Sequence, residues 1–565
     1  KSETVSGDTA MTSLYEYDYL GRVIKETDPK ENETSYEYGY DGQVTKLTNA
    51  EGNSVSTVYD LAGQAVSVTD PMGNTTNTTY DKLGRTVKVV SPFDTKNSAE
   101  TKTYYDKNSN VIKTAVKRSA NKYQTEEYKY DIMGNRIAVI ANDGKTDVVT
   151  QYRYDKANRV TKMITGLSAY SEEPSGGAVT SYSYNNRGYL SQVTDPMGNT
   201  ETYSSYDYAG NLLVMTDRNA NTKRNIYGAF GLTKTYFDGS PETKEYTYNS
   251  LGQLTGTKAV NADESEVSES YSYDPFGRVK SKTSNDGSVQ SYEYDLNSNL
   301  ISYILKKDTE EKISVQYGYD SMDRLTRMLD NGIITIYSYD DNGNMTYKAQ
   351  GNGITTEYEH NNAGMLTKTK TTDAYGNSTY SSCYYYLNGL MQYERIPYGE
   401  NNTTLQKLFT YDDMGRVTRE IASQNAYFPY LYLYEYDLRG NRTKKHIDAD
   451  YSETFGDIYY TYDLNNRLIS EESEIDGGEE TTARYYYDNN GNLTARQGVS
   501  RTGGMTLSGR SENSGMEIYR YDAFNRMSRY YSGSSEVSYA YNTDNLRTSK
   551  TVNRETTDFV WNGQN

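Results

Sequence analysis

The residues able to do chemistry are few, and their spacing argues against most chemistries. The two histidines, His360 and His446, stand 86 positions apart, and no His-x-x-x-His pair or Cys/His cluster supplies a zinc-ligand set. Cys383 is the only cysteine, so it forms no intrachain disulfide. Beside Tyr384-Tyr385-Tyr386 it reads as a small buried side chain, not a reactive thiol. Gly144-Lys145-Thr146 matches the end of a phosphate-binding loop, but Val139 stands where the leading glycine belongs, and Asn142-Asp143-Gly144 is a hairpin-turn signal. No Gly-x-Ser-x-Gly elbow occurs. Carboxylates are abundant, with 77 Asp and Glu against 59 Lys and Arg, and a glycosidase needs two of them across one cleft. Most aspartates instead follow a period, whereas an active site would break a repeat. The sequence therefore assigns no catalytic, cofactor-binding or metal-ligating residue, and no cofactor.

The period is carried by stretches such as Tyr80-Asp81-Lys82-Leu83-Gly84-Arg85-Thr86-Val87: a tyrosine-aspartate step, a turn glycine, then a basic residue opening an apolar position. The clearest anchors are Tyr17, Tyr80, Tyr130, Tyr154, Tyr273, Tyr294, Tyr411, Tyr436, Tyr462, Tyr487 and Tyr521. The series also takes in Tyr40, Tyr386 and Tyr541, a degenerate copy at His360 and a last one at Trp561. From Tyr17 to Tyr541 there are 22 steps over 524 residues, about 24 residues each, which is a repeat-architecture period.

The elements that position this motif follow from one copy, Thr12 to Asn32. Leu14-Tyr15-Glu16-Tyr17 alternates as a strand does, with both tyrosines on one face and Glu16 on the other. Asp18 accepts a backbone hydrogen bond from two residues on, Gly21 supplies a positive φ, and together they predict a short hairpin with a G1-type bulge. Arg22–Thr27 returns as the second strand, and Asp28-Pro29 opens a second turn. Structural turn glycines are expected at Gly21, Gly84, Gly134, Gly210, Gly277, Gly343, Gly415, Gly440 and Gly491. Where glycine is missing, Asn158, Asn466, Asn525, Asn545 and Asp323 stand in, all types that tolerate a left-handed backbone, with Ser109 and Ser298 as weaker fits. The second turn is clearest at Asp70-Pro71-Met72-Gly73-Asn74 and Asp195-Pro196-Met197-Gly198-Asn199. Two strands per repeat at about 4.8 Å spacing give roughly 230 Å of ribbon over all copies, too long to stay flat. The fold class is all-β, a long array of hairpin repeats in a curling ribbon with almost no helix.

Composition agrees. A mean hydropathy of -0.89 and a net charge of -18 suggest disorder, but 63 tyrosines placed periodically do not. Tyrosine offers an apolar face and a hydroxyl that reaches a polar partner, which suits an ordered sheet with a thin core. The acidic balance argues against nucleic acid and anionic membrane as partners, and no run of about 20 apolar residues spans a bilayer. The chain opens at Lys1 without Met or leader and is expected to be a segment of something longer. Residues 1–565 are expected to form one continuous array of about 24 repeats, with loop insertions near 166–177 and 501–515 and no separate catalytic domain.

The Tyr-Asp-x-x-Gly-Arg/Asn signature with Asp-Pro-x-Gly-Asn turns, from Tyr15 to Gly563, resembles the YD-repeat or RHS-repeat family. Members include bacterial polymorphic toxins, cocoon-forming subunits of insecticidal toxin complexes, wall-associated proteins and teneurins. The resemblance implies a ribbon spiralling into a hollow shell, secreted or at the bacterial cell surface. Its implied partner is a carboxy-terminal toxin segment of the same polypeptide, outside this chain. The alternative is a surface adhesion or carbohydrate-binding module whose partner is a glycan. Family toxins follow the repeats with a capping core that carries self-cleavage aspartates. Asp70-Pro71-Met72-Gly73 and Asp195-Pro196-Met197-Gly198 are superficially similar to that core but lie in register with the repeat turn, so nothing catalytic is carried over.

Overall fold

The computed structural model describes residues 2–5, 11–397, 403–424, 427–449, 455–475, 480–501 and 516–561. Apart from Arg501, the insertion expected at 501–515 lies outside them, as do Gly563 and the residues after it. Among the described residues there is no helix, and 48 strands run from Ser2–Val5 to Glu555–Asp558. The fold is all-β and antiparallel.

Each repeat is a strand pair such as Thr75–Tyr80 and Thr86–Pro92. Thr79 faces Lys88 but Tyr80 faces Thr86, so Val87 is an extra residue on the returning strand. The same one-residue bulge falls between Glu16 and Tyr17, Gly318 and Tyr319, and Tyr486 and Tyr487. The bulge adds local twist at a fixed place in each copy. The insertion expected at 166–177 begins later than its glycine suggests. Val160–Leu167 is strand through Gly166, and the loop runs from 168 to the strand Ala178–Tyr184.

Each of the clearest anchors, Tyr17, Tyr80, Tyr130, Tyr154, Tyr273, Tyr294, Tyr411, Tyr436, Tyr462, Tyr487 and Tyr521, is the last residue of its strand. Many of these tyrosines reach back one hairpin. Tyr80 Oη donates to Ala65 O at 2.9 Å, Tyr294 to Val279 O at 3.0 Å, Tyr411 to Met391 O at 2.6 Å and Tyr487 to Leu468 O at 2.9 Å. Trp561 does the same through Nε1, 2.7 Å from Arg547 O. Alternation sets the two faces: along Glu33–Tyr38, Tyr36 and Tyr38 are half-buried while Ser35 and Glu37 are exposed. Two expected anchors are corrected. At the copy read from Tyr40 the anchor is Tyr38, whose Oη donates to Val23 O at 2.6 Å, because Gly39 takes the aspartate's backbone place and Tyr40 stands exposed in the turn. In the copy read from Tyr386 it is Tyr385, bonded to Leu366 O at 2.8 Å, and Tyr386 itself occupies the aspartate position.

The expected turn glycines, Gly21, Gly84, Gly134, Gly210, Gly277, Gly343, Gly415, Gly440 and Gly491, have φ between 78° and 95°. Asn158, Asn466, Asn525, Asn545, Asp323, Ser109 and Ser298 have φ between 57° and 71°. The second turns use the same conformation with less suitable residues, Glu31 at 68°, Ala220 at 66° and Glu264 at 65°. Those positions carry a strain of roughly 1–2 kcal/mol each.

The described chain divides into two compact units. One comprises 1–127, 272–282 and 289–429, and the other 128–271, 283–288 and 430–565. Fully buried apolar side chains are sparse, and the second unit holds one cluster of them, Ala138, Val149, Ile164 and Leu167. Stability must therefore come from many repeated polar contacts as well as from a core.

Gly84 tests the turn. A Cβ there would meet only the flexible end of Gln64, at 3.1 Å, so the obstacle is the φ of 78° and not space. Gly84→Val is expected to destabilise by about 1–3 kcal/mol and Gly84→Asn by well under half of that. Equal shifts in thermal melts of the two variants would rule out the left-handed turn as the cause.

Candidate functional site

The densest polar geometry is at the turns. Asp81 Oδ1 accepts the backbone N–H of Leu83 at 2.8 Å and of Arg85 at 3.0 Å, and Oδ2 accepts Arg85 Nε at 2.7 Å and Nη2 at 2.6 Å. Asp81 N donates to Arg85 O and Gly84 N to Asp81 O, which closes the backbone loop. Arg85 then reaches forward: its guanidinium lies 4.5 Å over the Tyr105 ring, and Nη1 donates to Asp106 O at 3.1 Å. Tyr105 Oη returns to Thr86 O at 2.9 Å. Each such repeat thus grips the next through one carboxylate, one guanidinium and one phenol. The same set recurs at Asp274–Arg278 with Tyr294, at Asp320–Arg324 with Tyr339 and at Asp463–Arg467 with Tyr487.

Asparagine can replace the arginine. At Asp106–Asn110, Nδ2 meets Asp106 Oδ2 at 2.9 Å, and in the copy at Asn135 the amide also reaches Asn158 of the next turn at 3.0 Å. Sequence reasoning saw the residue after the turn glycine only as a strand opener. The aspartate four residues before it was the signal for a charge-assisted pair. Hydrogen bonds from Arg85 hold the Asp81 carboxyl below the usual carboxylate range, and those from Asn110 and Asn135 do the same for Asp106 and Asp131.

In each unit the turns also join stretches far apart in sequence, along a seam. In the first unit Asn297 Nδ2 donates to Asp28 Oδ2 at 2.6 Å, and Asn342 Nδ2 to Asp70 Oδ2 at 2.7 Å. Lys30 Nζ lies 2.9 Å from Asp295 Oδ2. Arg118, almost fully buried, donates through Nη1 to Asp412 O and through Nη2 to Tyr411 O, both at 2.8 Å, with its guanidinium near the rings of Tyr386 and Tyr411. In the second unit Asn465 Nδ2 donates to Asp195 Oδ2 at 2.8 Å and Asn490 Nδ2 to Asp217 Oδ2 at 2.7 Å. There Lys244 Nζ donates to Thr543 O at 2.8 Å and Asn545 Oδ1 at 2.6 Å, beside Phe524, which packs edge-on against Phe237 at 5.0 Å. Burial first, and then the nearby Arg526 charge, lowers the Lys244 ammonium to about 8.

The asparagine–aspartate partners are separated by 269 residues for Asn297–Asp28 and 270 for Asn465–Asp195, or about eleven repeats, and the Arg118–Asp412 and Lys244–Thr543 pairs by 294 and 299. The geometry is consistent: a first turn of the later stretch meets a second turn of the earlier one. Asp28, Asp70 and Asp195 each use Oδ1 to close their own turn and Oδ2 for the seam. The two motifs similar to a self-cleavage core, at Asp70 and Asp195, are thus turns engaged in the seam. In the first unit an open groove of about 850 Å³ lies there, lined by Asp70, Pro71, Met322, Arg324 and Asn342 among others.

The remaining candidates are scattered. His360 ends the strand Thr355–His360 opposite Leu366, in the anchor slot. His446 Nδ1 lies 2.8 Å from Asp457 Oδ1, whose partner oxygen is 2.8 Å from Lys444 Nζ, a cross-strand cluster on adjacent strands. Cys383 is half-buried, not fully buried, and burial pushes its thiol up. Gly144 N donates to Asn142 Oδ1, and Asp143 Oδ1 accepts from Lys145 and Thr146, so that turn caps itself. Among the described residues no group of three or more His, Cys, Asp and Glu is placed to hold a metal ion.

Comparison with known proteins bears on the repeat and the fold. The family model described as teneurin YD-shell matches residues 238–386, and that described as RHS repeat matches 17–54 and 59–96. No curated protein matches. The crystal structure of TcdB2-TccC3-Cdc42 is similar at a TM-score of 0.50 and 13% identity, over 98% of this chain and 41% of that one. That of TcdB2-TccC3 is similar at 0.49 and 14%, over 98% and 39%. This chain therefore spans about two fifths of the length of the solved chains it resembles.

Two outcomes test the site. The turn carboxyls of Asp81, Asp106, Asp131, Asp155 and Asp207 have lowered folded-state pKa values, so the stability they contribute is present above the unfolded value of about 4 and is lost as pH falls through the lowered values. Thermal melts are expected to be nearly level from neutral pH to about pH 5 and to drop steeply below about pH 4. A flat profile down to about pH 2 would remove the clamp from the stability argument. Arg118→Met keeps the stem but strips two carbonyl partners, and a loss of about 3 kcal/mol in urea unfolding is expected. A change under about 0.5 kcal/mol would show that the seam there is incidental.

Proposed function

We propose that the chain is a YD/RHS-repeat protein, which the family matches over residues 17–54, 59–96 and 238–386 support, and that it is wall material: one continuous repeat array, residues 1–565, that encloses a carboxy-terminal polypeptide of its own parent protein and keeps it from the producing cell. The observation that carries this reading is the seam. A free ribbon has exposed hydrogen-bonding edges and excludes nothing, whereas rows of ribbon joined turn to turn at intervals set by the repeat make a barrier. Side chains that would otherwise be candidate chemistry, the repeated aspartates above all, are consumed in closing turns and joining rows. The role is mechanical and not catalytic. Its setting is outside the cell or on the way there, with a toxin as the cargo.

The test is protease challenge of residues 1–565 produced together with the native downstream segment, in the full-length chain as well as in this one. Protection of the downstream segment, lost when Arg118→Met loosens the seam, is the expected result. Digestion of that segment in the full-length chain as fast as when it is free would overturn enclosure and leave surface adhesion as the better reading.

A further inference from the structure

The seam explains the first turns of the later stretch and leaves the equivalent turns of the earlier stretch without a counterpart among the described residues. In the first unit the two residues at the tip of each early first turn are exposed, and most tips carry a large apolar side chain: Tyr19 at 93%, Leu20 at 61%, Tyr40 at 115%, Leu61 at 109% and Leu83 at 70% exposure. At the same tip positions in the later stretch of that unit stand Asn297, Asn342 and Met414. Asn297 and Asn342 reach the earlier row, and Met414 O is bonded by Gln124 at 3.1 Å. An apolar tip is compatible with the seam, since Met322 lines its groove beside Val68 and Pro71. The opposite edge of the unit is uncovered in a matching way. Tyr375, at the tip of the second turn Asp373–Asn377 in the later stretch, is 92% exposed, and Ile333 at another such turn is 57% exposed. The corresponding second-turn tip of the earlier stretch, Lys30, is engaged by Asp295.

We propose that the tips Tyr19, Leu20, Leu61 and Leu83 form a docking edge for a further row of the same ribbon, and that a second copy of this chain supplies that row through its Tyr375 and Ile333 edge. The argument is continuity with the seam: the surface a first turn packs on within the unit is a second-turn edge, and an uncovered one of the same construction is carried by every copy. Such a contact is head to tail and not two-fold, because the two edges differ. Exposed apolar side chains in a row are a liability that a covered edge removes.

The experiment is sedimentation velocity on residues 1–565 over a concentration series, with three variants. One is Leu20→Ser/Leu61→Ser/Leu83→Ser, the second Tyr375→Ser, and the third the single change Leu61→Lys in case the triple variant folds poorly. Wild type is expected to associate progressively into oligomers, and each variant alone to associate at least about tenfold more weakly. Mixing the first two variants is expected to restore a dimer and nothing larger, since each retains one intact edge. A wild type that stays monomeric at the highest attainable concentration would overturn the proposal. So would association that survives Leu61→Lys and Tyr375→Ser unchanged, or a mixture that behaves as the separate variants do.

Discussion

The constraint on which the rest depends is the carboxylate of the aspartate that heads most of the turns. A carboxylate presents two oxygens and about four acceptor positions, and a turn of this length leaves two backbone N–H groups pointing inward. Asp81 answers both with Oδ1 and leaves Oδ2 for a cation or an amide. If that oxygen takes arginine, the guanidinium projects to the next anchor tyrosine and couples neighbouring repeats. If it takes asparagine, the turn is closed by a shorter arm. A single residue type therefore fixes the turn, the bulge beyond it and the link to the following copy.

The second consequence is spacing. Because every copy is closed in the same way, the tips of the turns recur at a near-constant interval, and a lateral contact that fits one pair of turns fits the next. Asn297 on Asp28, Asn342 on Asp70, Asn465 on Asp195 and Asn490 on Asp217 are four instances of one interaction. Where the sequence departs from it, the seam substitutes chemistry of equal reach: a buried arginine at Arg118, or a lysine and an aromatic pair at Lys244, Phe237 and Phe524. Burying Lys244 lowers the affinity of its amine for a proton, and two oxygen acceptors offset part of that penalty.

A thin core is consistent with this economy. In a quasi-one-dimensional array each repeat answers only to its neighbours, so stability is a sum of many small terms. Tyrosine suits that regime: half-buried, it contributes apolar area through the ring and removes a backbone carbonyl's unmet demand through the hydroxyl. The carbonyl at Arg547 is met by Trp561 in the same way, which shows that the position asks for a ring with a donor at its far end, not for tyrosine as such.

The sequence by itself determined most of what depends on contacts within a hairpin. Strand ends, positive φ at Gly84 and Asn158 and the absence of helix among the described residues follow from alternation, turn chemistry and a period near 24, all interactions over a few residues. It misplaced two anchors, Tyr40 for Tyr38 and Tyr386 for Tyr385, because a tyrosine had moved into the turn and only the hydrogen bonds show which ring closes the strand. Tertiary structure alone decided which aspartates carry a second bond, that Arg118 is buried, and which tips are covered. Those facts join residues about 270 positions apart. Asp28 and Asp70 look the same as any other turn aspartate in the sequence, and what distinguishes them is the turn that the winding of the ribbon brings against them.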